Sequence, residues 1–486
     1  MKAHVLAEPE LEFRAGNRHI DPRYGVAVYG PADGDAPAAP RQITVGLIGS
    51  PSAIEGLRRW LERCRTPIEA KLAKPGQENL FLEFPGFNAG VGYRAELIFD
   101  DGLVREIPDR LLRPLAKADV KAAVAEAVDL YMAAARSLCE TGRCRVLICA
   151  RPDELQDDTE PPSPASGDGD SVEEPTEQQH DLELAGDFHD LLKARALTLP
   201  CPLQLIRRDT WEEGAVKDRS RKRPLQDEAT RAWNLHTALY YKAGGTPWRL
   251  PRHSTDLASC YVGVSFYRTP DRAELHTAVA QVFNERGDGV VVRGGAAKIS
   301  KADRQPHLNQ HDAHQLLADA LGEYRRAHGH LPARVVLHKT SSFNDEETDG
   351  FRSAAEDKEI DFVELIWVQR RAAPRLFRNG QLPPLRGTTL QLDPHTMVVY
   401  TRGSVEFFRT YPGMYVPQPL LLRPVPQTTE LGRAAVEVLA LSKMNWNNAQ
   451  LDERDPLTLR TAHRVGAILK HVPLDEQIAT RYAYYM

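Results

Sequence analysis

No stretch of the chain reaches the ~18 consecutive apolar residues a transmembrane helix needs, so none is expected. The opening residues, MKAHVLAEPELEF, scatter charge along their length and offer no apolar h-region, which argues against a secretory signal. Cysteine is scarce, with six in 486 residues, too few for a disulfide framework in a chain of this length. Cys139, Cys144 and Cys149 recur every five residues, but no CxxC pair or His-rich partner accompanies them. That spacing argues against zinc and reads as reduced thiols of a cytoplasmic protein. A G-x-G-x-x-G after a strand is also missing, and the RGG at 293–295 is too short to stand in for a dinucleotide loop.

Net positive charge is missing as well, since the formal balance is −5. Distribution matters more than the sum. Residues 151–187 hold thirteen Asp/Glu against one basic residue, Arg151; without them 61 basic residues face 54 acidic ones, a balance of +7. The tract, which includes TEPPSPASGDGDSVEEPTEQQ, has almost nothing apolar to bury and is expected to be a disordered insert in a basic fold.

The length fits two domains, and 42% hydrophobic residues suffice for their cores. YGVAVYG (24–30), ITVGLIG (43–49), RVLICA (145–150) and CPLQLIR (201–207) read as buried strands. SAIEGLRRWLERC, residues 117–139, FHDLLKARAL and ATRAWNLHTALYYKAGG read as helices between them. This alternation predicts a parallel, doubly wound sheet over residues 1–250. From 251 to 486, CYVGVSFYR, GVVVRGG, RVVLHK, FVELIWVQ, TMVVYTRG and QPLLLRP predict a mixed sheet, with helices in HDAHQLLADALGEYRRAH and LTLRTAHRVGAILKHV.

The stretch LYYKAGGTPWRL (239–250) is the junction between the two halves. A lysine in a last helical turn followed by glycine is an ordinary C-cap. His189 and Lys193, one helical turn apart, share a helix face; Gln204 lies in the next strand, and Lys242 ends the following helix. Together these donors could surround a terminal phosphate.

In that order, H-x-x-x-K, then Gln, then K-x-G-G, the chain resembles the guide 5′-phosphate pocket in the MID domain of Argonaute proteins. The resemblance continues through GVAVYGPAD, ITVGLIGS, FPGF (84–87), YVGVSFYR, VVLHK, YPGMYVPQPLLL and LSKMNWNNAQLDERDPLTLRTAHRVGAIL. It implies a short prokaryotic Argonaute: a Rossmann-like MID domain in 1–250, then an RNase H-like PIWI domain in 251–486. His189, Lys193, Gln204 and Lys242 are the implied phosphate residues, with KDRSRKRPL (217–225) as an insertion. The C-terminal carboxylate of Met486 is the implied ligand of a structural Mg²⁺ at the phosphate, and TRYAYYM suits a tucked-in tail.

Active PIWI domains hold two metal ions with carboxylates. Ser265 stands in the place of the first, Thr340 near the second, and His463 matches the last ligand position. Asp345, Glu346 and Glu347, in SSFNDEETDG, read as turn formers in a polar loop. The cleavage site is therefore expected to be dead. Arg268, Lys298, Lys301, Lys339 and Arg402 are candidate contacts to nucleic-acid backbones. The resemblance further implies a guide RNA and a complementary single-stranded invader DNA. It also implies a separately encoded APAZ-effector partner (TIR, sirtuin-like NADase or nuclease), in a cytoplasmic defence system with no membrane role. Two other readings stand beside this one: a guide-directed nuclease with unusual metal ligands, and a nucleotide- or small-ligand-binding α/β protein.

Overall fold

The computed structural model describes residues 3–155, 187–212, 226–252, 257–269, 275–283, 289–370, 374–413, 415–425, 430–451 and 453–486. Most of the acidic tract and the KDRSRKRPL loop lie outside these residues. The ends of the tract belong to the fold. Arg151 N donates to Ile206 O at 2.9 Å, Leu155 is buried, and Asp187 caps a helix by accepting from His189 N at 3.0 Å.

The first sheet is wholly parallel, with strands Glu96–Ile98, Gln42–Gly49, Val146–Ala150 and Leu203–Ile206 in that order; Val104–Glu106 also pairs with Gln42–Gly49. Alternate residues face opposite layers. Val45, Leu47, Val146 and Ile148 pack with helices Pro51–Arg63 and Glu228–Lys242. Ile48, Leu147 and Cys149 pack with Val120–Cys139 and Phe188–Ala196. Apolar residues on both faces give the near-continuous runs ITVGLIG and RVLICA, as a sheet covered on both sides requires. The result is a doubly wound, Rossmann-like α/β unit.

The second sheet has nine strands among the described residues. Its centre is parallel: Ser259–Arg268, Arg334–Lys339 and Phe362–Gln369 lie side by side. Antiparallel strands extend it on both sides. Helices Gln310–His328 and Asp345–Glu356 cover one face, and Leu431–Leu441 and Leu457–Leu469 the other. At Gly263 the Leu457–Leu469 helix comes so near that a Cβ would stand 2.1 Å from Thr458 O. This sheet is the mixed α/β layer that the strand pattern predicts.

Several expectations are corrected. YGVAVYG is not a strand but most of the helix Pro22–Tyr29. Asp21 accepts from Arg23 N at 2.8 Å and Tyr24 N at 3.2 Å, and Pro22 presets the first helical φ, so the cap overrides the β-branched content. Leu275–Phe283, unforeseen, is an edge-side strand antiparallel to Ser259–Arg268. Ala3–Val5, from the chain's start, pairs with Thr388–Asp393 of the second sheet. Asp345, Glu346 and Glu347 open the helix Asp345–Glu356 rather than a loop, because Asn344 and Glu347 form a reciprocal capping box.

Glu347 then turns inward. Its fully buried carboxylate accepts from Lys339 Nζ at 2.6 and 2.5 Å and lies 2.9 Å from His307 Nδ1. The Lys339 ammonium also sits over the Phe266 and Phe343 rings. Lys339 is thus a core residue and cannot touch a nucleic-acid backbone as expected; Arg268, Lys298 and Lys301 are exposed. Removing one partner of a buried pair strands the other charge. Glu347→Ala is expected to lower unfolding free energy by roughly 3–5 kcal/mol in urea titration. Adding Lys339→Met should recover part of that loss, and a Glu347→Ala cost below about 1 kcal/mol would contradict the pairing.

Candidate phosphate-binding site

The helix Phe188–Ala196 delivers Lys193 into the interior, where the side chain is only 1% exposed. Its ammonium donates to Leu203 O, at the first residue of the neighbouring strand. Lys242 arrives from another direction, as the last residue of Glu228–Lys242. The cap forms as the sequence suggests: Gly244 takes φ +91°, Ala243 N donates to Leu239 O and Gly245 N to Tyr240 O, both at 3.0 Å. Lys242 itself is not a solvated capping cation. It too is 1% exposed, and its ammonium donates to Met486 O at 2.8 Å and Ala483 O at 3.3 Å.

The tail that supplies these oxygens is fixed by its own packing. Tyr482–Tyr484 is a short 3₁₀ turn, and Tyr485 and Met486 are buried. Tyr241 stacks on Trp446 at 4.7 Å and meets Tyr482 edge-on, and Trp446 Nε1 donates to Trp248 O at 3.1 Å. The junction residue Trp248 is itself fully buried. These contacts tie the end of the first unit, the junction and the chain's last residues into one seam.

Lys193 and Lys242 act on each other's protonation, and the Arg464 guanidinium on the Leu457–Leu469 helix adds further positive charge. Burial, with Arg464 beside it, holds Lys193 down at about 7. Burial, then Lys193, then Arg464 push Lys242 well below its usual value. Among the described residues neither lysine forms an ion pair with an Asp or Glu carboxylate; the oxygens they meet are those of Leu203, Ala483 and Met486. Buried positive charge in excess of its counter-charge is costly and favours an anion.

Gln204 follows the residue whose carbonyl Lys193 holds. Its Nε2 donates to Leu205 O at 2.9 Å, and its buried Oε1 has no donor. His189 diverges from Lys193 despite sharing its helix face. Its Nδ1 lies 2.9 Å from Asp190 Oδ1. Asp187, His189 and Asp190 bring donor atoms within 4.8 Å of one another, the one such grouping of three among the described residues. Met486, the implied metal ligand, has its oxygen held by the Lys242 ammonium, with Arg464 acting on the same lysine.

The second expected centre lies on the other sheet. Ser265 follows Gly263 by two residues and shares its face, under the Leu457–Leu469 helix that carries His463. His338, on the same face of the adjacent strand, lies 2.8 Å from Thr458 Oγ1, and Thr340 continues that face. Ser265 Oγ is buried without a partner, whereas Thr340 and His463 are exposed. The carboxylate that acts on His463 most strongly is Asp455, and Arg370 binds it at 2.8 Å. Glu347 is no substitute, since it and Lys339 occupy the opposite face of the sheet. Sequence reasoning missed Arg464, although it adjoins His463; it read Glu347 as a turn former, although its N-x-x-E capping signature was readable.

The depressed Lys193 value has a definite thermodynamic sign. Between about pH 7 and the unfolded-chain value of ~10.4 the unfolded state binds more protons, so stability of the ligand-free protein rises with pH across that window. The penalty is largest below pH 7. Lys193→Met should raise the ligand-free Tm at pH 7 and flatten its rise between pH 7 and 9, measured by thermal melts. An unchanged slope would contradict the uncompensated buried charge.

No protein-family model matches the chain, and no curated protein matches it in sequence. Solved structures do match. Clostridium butyricum Argonaute, bound to a guide DNA and a 19-mer target DNA, aligns at TM-score 0.66 and 15% identity, over 98% of this chain and 53% of that one. A. aeolicus Argonaute aligns at TM-score 0.56 and 13% identity, over 98% and 53%. A structure of Aa-Ago with externally bound siRNA aligns at 0.58 and 13%, over 99% and 55%. The chain therefore spans about half the length of these proteins, and over that span it has an Argonaute-like fold.

Proposed function

We propose that this chain is the guide-binding sensor of a defence complex, holding a 5′-phosphorylated guide, RNA by preference, and presenting its bases to complementary single-stranded invader DNA. The observation that carries this reading is the pair of buried lysines, Lys193 and Lys242, with no Asp or Glu partner among the described residues and fixed between Leu203 O and Met486 O. A terminal phosphate would supply the missing negative charge. Gln204, whose amide oxygen has no donor and whose NH₂ is held by Leu205 O, would be the third contact, while His189 is turned to Asp190. If Mg²⁺ accompanied the guide, the Met486 oxygen would be the group of this chain available to hold it, and the ion would supply charge neutralisation for the phosphate.

Base pairing would read the sequence while protein groups contact backbones, the division of labour found in other guided systems. The Argonaute-like fold supports this reading, because the C. butyricum structure holds a guide and a target. Ser265 and Thr340 carry no charge and Asp455 is tied to Arg370, so we propose that this chain binds without cutting. Activity would then come from a partner in the cytoplasm, an APAZ-bearing effector with TIR, sirtuin-like NADase or nuclease chemistry, switched on by guide and target together.

Each charge-assisted contact is worth roughly 1.5–3 kcal/mol, or ~10- to ~150-fold in affinity. Filter binding at fixed salt should show a preference of at least that size for 5′-phosphorylated over 5′-hydroxyl guide RNA. The preference should vanish in Lys193→Ala/Lys242→Ala. Equal affinity for both guides in the wild type would sink the phosphate assignment. A labelled complementary DNA strand should stay intact with Mg²⁺ or Mn²⁺. Guide-directed cuts at one position, absent from a Ser265→Ala control, would instead establish a nuclease.

A further inference from the structure

Four of the six cysteines gather beside the phosphate site, and two of them touch. Cys139 is the last residue of the helix Val120–Cys139, and Cys201 lies between Pro200 and Pro202 just before the strand Leu203–Ile206. Their sulfurs are 3.5 Å apart across a separation of 62 residues. Cys201 is 4% exposed, whereas Cys139 is partly open to solvent. A disulfide of about 2.05 Å needs the sulfurs to approach by only about 1.5 Å. We propose that Cys139 and Cys201 are a peroxide-reactive dithiol whose closure into a disulfide loosens the neighbouring phosphate site.

The chemistry is a two-electron oxidation by hydrogen peroxide. The Cys139 thiolate attacks one peroxide oxygen, the O–O bond breaks, and the released hydroxide takes a proton to leave as water. Cys139 is then a sulfenic acid. The Cys201 sulfur attacks the Cys139 sulfur, the S–O bond breaks, and a second water leaves with the Cys201 proton. Two thiols become one disulfide and one peroxide becomes two waters. The roles follow from the environment: the Cys201 hydrogen bond lowers the Cys139 thiol's pKa, while the Cys139 sulfur and burial raise that of Cys201.

The consequence depends on position. Cys201 is two residues from Leu203, whose carbonyl holds the Lys193 ammonium. The same segment anchors the tail, with Pro200 O accepting from Tyr484 Oη at 2.8 Å and Leu197 O from Ala479 N at 3.1 Å. Drawing Cys201 toward the Cys139 helix end therefore pulls on both supports of the ammonium pair. This coupling, unlike the dithiol itself, rests on the phosphate-site reading above.

The test treats the full chain with hydrogen peroxide and maps unreduced peptides. A Cys139–Cys201 bridge, reversed by dithiothreitol and retained in Cys144→Ser, is expected. In Cys201→Ser a Cys139 sulfenic acid should be trapped by dimedone. A bridge to Cys144 instead, or free thiols at both positions after treatment, would overturn the dithiol. The oxidised protein should bind a 5′-phosphorylated oligonucleotide about fivefold more weakly or worse, with reduction restoring affinity. Unchanged affinity with the bridge formed would overturn the coupling. If the reduced protein shows no preference for 5′-phosphate, it is the phosphate reading that fails, and the peptide map still decides the dithiol.

Discussion

Two ammonium groups share one buried point of this molecule, and the surrounding architecture is arranged around keeping them there. Lys193 comes from a helix on one face of the first sheet, and Lys242 from the end of a helix on the other. Arg464 comes from the second unit, and the oxygens that hold Lys242 come from the last residues of the chain. No single element could bury so much like charge, because the cost of desolvation and repulsion would be met by moving one side chain out to water. Here each ammonium is fastened to a main-chain oxygen that is itself fixed, Leu203 O by the strand and Met486 O by the packed tail. The arrangement costs stability in the ligand-free state.

The second sheet shows the same physics resolved in another way. Lys339 is as deeply buried as Lys193, yet it faces Glu347 and two aromatic rings, and its charge is answered inside the protein. Its pKa still falls, to about 8, because burial outweighs the Glu347 carboxylate. Lys339 is therefore paired within the core, whereas Lys193 and Lys242 are buried with no Asp or Glu partner among the described residues. The difference is that a glutamate side chain on the neighbouring helix faces Lys339. Pleat alternation separates this pair from Ser265, Thr340 and the Leu457–Leu469 helix, so Glu347 cannot assist on that face.

Much of the fold was legible because its strands are covered on both faces and its helices carry caps. Unbroken runs such as ITVGLIG can be little else, and Pro51 and Val120 each follow a capping Ser50 or Asp119. Errors fell where a local signal was read without its partner. YGVAVYG has strand-like composition, but Asp21-Pro22 starts a helix; NDEETDG is polar, but Asn344 and Glu347 answer each other across one turn. Leu275–Phe283 owes its place to pairing with Ser259–Arg268, which no window of its own residues reveals.

At the site, the sequence by itself determined the kinds of group and their order: an i, i+4 His189 and Lys193, a strand Gln204, and a lysine ending a helix before a left-handed glycine. Those follow from helical period and cap chemistry, which are local. Only the tertiary structure decided that Lys193 and Lys242 meet while His189 turns to Asp190, that the Met486 oxygen is held by Lys242, and that no Asp or Glu carboxylate among the described residues pairs with either lysine. Charge compensation depends on which distant segments share a few ångströms of low-dielectric interior, and sequence spacing carries no information about that.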